Sequence, residues 1–425
     1  MANTSWNKTL KDTVNWLGRR PAPRSSRASS FADLRIYKSI AQWEKVGSML
    51  GVQSPFFRTI EAAEGNYTTM EGVKRLNFAW CDYLGLNQHP ALVTAMRNAI
   101  DRYGPCTSAS RMVAGETPLH QELEREISDF LGVDDAILFV SGHAANVSTV
   151  GTIMSEDDLI VHDGSVHNSA VIGMRLSRAT CIAFTHDRFD ELEQILRRER
   201  HKHKNCLVLV EGLYSTEGDV TDLARVIELK ERFGAWLMVD DAHGLGVLGK
   251  TGRGIAEHAD VDPRKVDIWM GTLSKTLASC GGYIAGDKVL IKILKHQAPG
   301  FVYSVGLVPS MTAAALAALR TIRAEPERVA RLHSHGRLFL DYARERKLDT
   351  GISSGYGMLP VIAGDVVRSV KLWHAVFARG INPSLIVHPG VPIKAGRLRF
   401  FLTSAHSEDQ IREAIDVTAE ELAKL

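Results

Sequence analysis

Short, nearly continuous apolar runs recur along this chain, at Ala136–Val140, Cys206–Val210, Trp236–Asp240, Val266–Met270 and Gly282–Ala285. Segments of helical periodicity separate them, as at Leu119–Leu131 and Leu223–Phe233. A strand that is apolar at almost every position has to be covered on both faces, which is the mark of a parallel sheet flanked by helices. Right-handed crossovers then give a doubly wound α/β fold with a large, mostly parallel sheet. A second region follows the helical Met311–Arg323, with strands expected at Leu359–Ala363 and Leu398–Leu402 and a closing helix near Glu408–Lys424. The expected organisation is an N-terminal segment over 51–104, a large domain over 105–308 and a smaller C-terminal α+β domain over 309–425.

Charge and cysteine usage exclude several classes. The 51 basic and 49 acidic side chains nearly cancel, at +2, which argues against a protein that binds nucleic acid over its whole surface. Cys81, Cys106, Cys181, Cys206 and Cys280 are scattered, with no CxxC pair, as in a reduced, cytoplasmic protein. No membrane span is expected: the uncharged stretch Ala136–Ser155 holds Ser141, His143, Asn146, Ser148 and Thr149, which lipid would strand. No metal is expected either, since only His201 and His203 cluster, inside the basic run Arg197–Lys204. The charge is uneven along the chain. Residues 1–38 carry eight Lys or Arg against Asp12 and Asp33, a net +6. With Arg19–Ser30 rich in proline, serine and arginine, residues 1–50 read as a basic, partly flexible extension: a plain leader, a targeting peptide or a handle for an acidic partner.

Ligands of an open α/β sheet sit beyond the carboxyl ends of its strands. After Ala136–Val140 comes Ser141-Gly142-His143-Ala144-Ala145-Asn146, opening a helix whose free N–H groups suit a phosphate. After Trp236–Asp240 comes Asp241-Ala242-His243-Gly244, so Asp240 stands at a strand end. After Val266–Met270 comes Gly271-Thr272-Leu273-Ser274-Lys275, a lysine where burial would depress its pKa and free its amine. Alone, Asp240 reads as a helix cap or salt bridge, and the glycine turn as a steric need. Together, a phosphate cradle, a strand-end acid and a strand-end lysine are the parts that hold pyridoxal 5′-phosphate.

The ordered motifs resemble the α-oxoamine synthase family of fold-type I pyridoxal-phosphate enzymes, which includes 8-amino-7-oxononanoate synthase, 5-aminolevulinate synthase and serine palmitoyltransferase. They are Asp82–Leu86, Ser110-Arg111 through Gly115 with His120 and Glu122–Glu124, Ser141–Asn146, His162-Asp163 through Ser169, Glu211–Ser215 with Gly218-Asp219, Val239–Gly244, Gly252-Arg253-Gly254, Thr272–Lys275 and Arg397-Leu398-Arg399. The resemblance spans about residue 50 to the end. It implies that Lys275 is the Schiff-base lysine and the acid/base at the substrate α-carbon. It implies that Asp240 pairs with the pyridine nitrogen, and that His243 bonds the phenolic oxygen with Ser215 nearby. His167 is implied to stack on the ring and Glu211 to support the site. Gly142, His143 and Thr272 are implied to hold the phosphate, and Arg399 the amino-acid carboxylate. Cys81 stands where relatives often carry Asn or another polar residue that helps hold that carboxylate, Thr276 follows the lysine where a smaller residue is common, and His143 replaces an aromatic found in several relatives.

The implied reaction is a decarboxylating Claisen-type condensation of a small α-amino acid (glycine, alanine or serine) with an acyl thioester, on coenzyme A or an acyl carrier protein, by a homodimer. Residues 270–286, 298–307 and 396–406 look closest to serine-palmitoyltransferase-like, polyketide-associated members. The alternatives are an aminotransferase of the same fold and a non-catalytic homologue.

Overall fold

The computed structural model describes residues 30–49 and 53–425. They fall into two units, residues 1–56 and residues 57–425. In the first, Ser30 and Asp33 cap a short turn that leads into the helix Arg35–Met49. Ile36, Ile40 and Trp43 recur at helical spacing on one face of it and are exposed. Most of the Arg19–Ser30 run lies outside the described residues.

The second unit holds two sheets. It opens with strands β1 (Ala62–Glu64), β2 (Tyr67–Met70) and β3 (Val73–Phe78). The large sheet follows: β4 (Asp135–Phe139), β5 (Leu159–Asp163), β6 (Thr180–Phe184), β7 (Cys206–Glu211), β8 (Trp236–Asp240), β9 (Ile268–Thr272) and β10 (Gly282–Gly286). Its order is β4-β10-β9-β8-β7-β5-β6. All neighbours are parallel except β10, which runs antiparallel to both β4 and β9. The segment Leu273–Gly281 between β9 and β10 is too short for a helical crossover, so the chain has to turn back. The expected Val266–Met270 strand begins at Ile268 instead; just before it, Asp267 holds β8 through its N–H to the Leu237 carbonyl (3.1 Å), and its carboxylate accepts from the Leu237 N–H (2.8 Å) and Lys230 Nζ (2.9 Å).

The continuous apolar runs are explained by burial on both faces. Along β7, Leu207 and Leu209 pack with Ile137 and Met238 in one cluster, while Val208 and Val210 pack with Leu237 and Val239 in the other. Each such side chain contributes roughly 1.5–3 kcal/mol when fully buried, so this sheet is the rigid base of the molecule's site.

The smaller sheet is β1-β2-β3-β12-β13-β11, completed by β11 (Met358–Gly364), β12 (Ile381–Ile386) and β13 (Gly396–Phe401). β12 joins β3 in parallel, Ile381 opposite Leu76. Strands from near the start of the unit thus share a sheet with strands from near its end. The helix Glu408–Leu422 closes the chain against the helices Glu327–Glu345 and Val366–Ala378. Among the described residues no helix is long and apolar enough to cross a membrane, and no cluster could hold a metal ion.

Candidate active site

The carboxyl ends of β7, β8 and β9 bring the sequence-identified residues together. Glu211 and Asp240 are register partners on adjacent parallel strands, and Asp240 is opposite Met270 on β9. Lys275 comes three residues after β9 ends at Thr272. Asp240 is buried. Its Oδ2 accepts from Asn146 Nδ2 (2.8 Å) and its Oδ1 from the Ala242 N–H (3.1 Å). Asn146 also donates to Ser169 Oγ (2.9 Å), whose hydroxyl lies 2.7 Å from His167 Nδ1. A polar chain therefore links Asp240 to His167 across the helix that opens at Gly142.

Register explains the electrostatics. Glu211 is fully buried with its neighbour's charge beside it, so burial first and Asp240 second push its carboxyl well above the usual range. It accepts the Ser215 N–H (3.3 Å) through Oε2, and Oε1 has no partner among the described residues. Lys275 is pulled below its ordinary value by burial, against the opposing pull of Cys81, Asp240 and Glu211. Burial also lowers His167, which favours the neutral imidazole. The turn that carries His167 is braced from behind. Asp163, at the end of β5, accepts the Ser165 N–H (2.7 Å), and the His186 ring sits 3.1 Å from both Asp163 and Asp219. Those two carboxylates outweigh burial and hold the His186 proton up to about 10.

At the other end, Ser141 caps the helix Gly142–Ile153 by accepting the Ala144 N–H (3.0 Å). The N–H groups of Gly142 and His143 find no acceptor among the described residues, as at any helix start. Thr272 Oγ1 lies beside them: a Cβ built on Gly142 would stand 3.1 Å from it. β10 passes so close that a Cβ on Gly282 would fall 2.5 Å from Gly142 Cα, so only glycine fits there. The side chain of His143 is exposed.

Arg399, on β13, reaches the same cleft. Its Nη1 donates to the Ser215 carbonyl (2.9 Å) and its guanidinium lies over the Phe401 ring (5.1 Å), while Nε is buried without a partner among the described residues. Burial lowers its pKa. Arg397, two residues earlier on the same strand, is paired with Glu217 (2.5 Å). Arg399 has no such anion among the described residues. Cys81 lies by Lys275, Arg399 and Tyr83, and burial pushes its thiol up. His243 is buried, with its Nδ1 2.7 Å from the Tyr83 hydroxyl.

Sequence reasoning gave no role to Tyr83, Asn146 or Ser169, although each lies inside a motif already singled out. The available signal was a polar side chain at a position that packing alone would fill with an apolar one.

The cleft fits pyridoxal phosphate on its own geometry. It offers N–H groups with no acceptor among the described residues beside a threonine hydroxyl, a buried carboxylate at a strand end, a part-buried amine, and a part-buried guanidinium that meets no anion among the described residues.

The aminotransferase class I and II family description matches residues 73–417. The chain is 34% identical over 371 residues to 8-amino-7-oxononanoate synthase 1 of Bacillus subtilis (strain 168), covering 87% of this chain and 94% of that one. It is 36% identical over 362 residues to 8-amino-7-oxononanoate synthase of Fervidobacterium nodosum, covering 84% and 91%. Among solved structures, Sphingomonas wittichii serine palmitoyltransferase superposes with a TM-score of 0.88 at 26% identity, over 92% of this chain and 98% of that one. The chain belongs to the aminotransferase class I and II family, as one of its pyridoxal-phosphate-dependent acyltransferases, the α-oxoamine synthases.

Proposed function

We propose that this enzyme condenses a small α-amino acid (glycine, alanine or serine) with an acyl thioester, with loss of carbon dioxide, to give an α-amino ketone. The observation that carries this reading is Arg399: a part-buried guanidinium that meets no carboxylate among the described residues, in the same cleft as Lys275 and Asp240. A partly desolvated cation without a counter-charge is costly, and an amino-acid carboxylate would satisfy its fork of donors.

Bound pyridoxal phosphate supplies the electron sink that makes a substrate carbanion accessible. The chain's own groups do the rest. Gly142, His143 and Thr272 would hold the phosphate, Asp240 would keep the pyridine nitrogen protonated, and His243 would donate toward the phenolic oxygen with Ser215 close by. His167 would pack on the ring face, and Glu211, its carboxyl pushed upward by burial and by Asp240, would support Asp240. Lys275, its pKa lowered by burial, takes the proton from the α-carbon and returns it after decarboxylation. Cys81 borders the carboxylate site and bears on which amino acid fits.

The test is a panel of glycine, alanine and serine against acyl-coenzyme A and acyl-carrier-protein thioesters, read as free thiol. Amino-acid-dependent thiol release supports condensation. Keto-acid formation without thiol would make the enzyme an aminotransferase, and no turnover with any pair would favour a non-catalytic homologue. The +6 charge of residues 1–38 supports an acidic carrier protein as donor, so carrier-bound acyl groups should outperform coenzyme A; the reverse order would remove that partner.

Arg399→Gln should raise KM for the amino acid about 30- to 100-fold with little change in kcat, the loss expected for a charge-assisted pair made equally in ground and transition states. Steady-state kinetics decide it, and an unchanged KM would take the carboxylate away from Arg399.

We further propose a homodimer. Met112 and Val113 in the turn Arg111–Gly115, with Tyr303 and Val305 after the short helix Pro299–Val302, are all exposed. The two segments adjoin, since the Gly306 N–H donates to the Ala109 carbonyl (3.1 Å). Contiguous exposed apolar side chains favour a protein interface. Sedimentation at micromolar concentration should give a dimer; a monomer would exclude it.

A further inference from the structure

His243 faces a choice that the ring alone does not settle. A neutral imidazole carries its proton on Nδ1 or on Nε2, and only an N–H can donate to a ligand oxygen. The ring is kept neutral by burial and by the cations Lys275 and Arg399 nearby. Its Nδ1 lies 2.7 Å from the Tyr83 hydroxyl, while Nε2 meets no hydrogen-bonding group among the described residues.

We propose that Tyr83 is a positioning residue: its hydroxyl donates to His243 Nδ1 and so places the imidazole proton on Nε2, the nitrogen left to face the cofactor's phenolic oxygen. The inference rests on the function proposed above for its consequence, but its geometry is independent of it. Tyr83 is fully buried, and burial holds its phenol proton well above the ordinary range, so the group is available as a donor. The Cys81 thiol lies against the same hydroxyl. A thiol is a weak acceptor and an adequate weak donor, which leaves the imidazole nitrogen as the better acceptor for the phenol.

The ring of Tyr83 has little freedom to give up this contact. Its backbone carbonyl accepts the Ser404 N–H (2.8 Å), and its edge packs on Phe401 with ring centroids 6.2 Å apart. On the other side a Cβ at Gly357 would fall 2.6 Å from Tyr83 Cδ1, so the backbone there closes on the ring. Phe401 also stacks near His243, 6.4 Å between centroids and 16° between planes. Strand β13 and the turn carrying Tyr83 therefore fix both partners, and a hydrogen bond between two immobilised groups selects a tautomer in the way that outer hydrogen bonds orient metal-binding histidines.

The test reads the tautomer directly. The full-length protein without cofactor, labelled with nitrogen-15 at histidine, is examined by long-range proton–nitrogen correlation, with His243→Asn used to assign the signal. The wild type should show His243 protonated on Nε2. Tyr83→Phe, which keeps the ring and removes only the hydroxyl, should lose that preference with an unchanged circular dichroism spectrum. Its loaded enzyme should lose about tenfold in kcat/KM, the size of one buried hydrogen bond. A wild-type proton on Nδ1, or the same tautomer ratio in both proteins, would overturn the proposal whatever the activity. Should Tyr83→Phe not fold, the wild-type spectrum alone decides. The spectrum needs no cofactor, so its failure leaves cofactor uptake intact, and a failure of uptake leaves the spectrum unchanged.

Discussion

Replacing Lys275 with alanine should lower turnover by about four orders of magnitude, the upper range for removing a positioned acid–base group. Among the described residues Lys275 is the one lysine placed just beyond the carboxyl end of a central strand and lowered in pKa by burial. That lowering is what a proton carrier at the α-carbon requires, because an amine of ordinary basicity stays protonated near neutral pH and has no lone pair to offer. Folding should survive the change, since the deletion removes a desolvated amine and leaves the surrounding strands untouched. The rate is read as thiol release. Borohydride reduction followed by peptide mapping gives a second reading: the wild type should retain the cofactor on the peptide containing Lys275, and Lys275→Ala should not. A variant that still condenses substrates within tenfold of the wild-type rate would transfer the proton chemistry to another residue.

How much of this was legible beforehand depends on distance along the chain. β8 and the helix Leu223–Phe233 coincide with the expected segments, because a fully buried strand and an amphipathic helix write their periods locally. Lys275, Asp240 and Gly142 could be found from the same local logic, as the residues that follow each strand. The reversal of β10 was not anticipated, although the short link after β9 carried the information. The parallel joining of β3 to β12 is different in kind. It pairs Leu76 with Ile381, and nothing in either short strand names its partner. The Tyr83–His243 contact and the docking of Arg399 on the Ser215 carbonyl are of the same sort, each made by segments far apart in sequence. Register also supplied what composition could not: Glu211 and Asp240 look alike as strand-end acids, and only burial together with their pairing shows that the Glu211 carboxyl is pushed upward.

That asymmetry between two neighbouring acids leads to the second large effect. Asp240→Asn should lower kcat about a thousandfold while leaving the fold and the amino-acid KM nearly unchanged. Asparagine matches the shape of aspartate but offers one oxygen where Asp240 uses two; with that oxygen turned toward Asn146 the polar chain to Ser169 and His167 is kept and the Ala242 N–H loses its acceptor. What it cannot supply is the negative charge that keeps a pyridine nitrogen protonated, and with it the electron-withdrawing power on which carbanion formation depends. Two further consequences follow from the charge alone. Glu211 loses the neighbour that helps to raise its pKa, and Lys275 loses one of the charges that oppose its lowering, so both groups should shift downward. Glu211→Gln is the internal comparison. Burial and Asp240 push the native carboxyl upward and so favour its uncharged form, so this variant should retain most of its activity, and the ratio of the two rates reports which acid the chemistry needs charged. Single-turnover measurements at saturating amino acid separate the chemical step from binding. If Asp240→Asn ran within tenfold of the wild type, or if Glu211→Gln fell as far as it did, the charge would have to lie elsewhere and the order of the two acids in this cleft would be reversed.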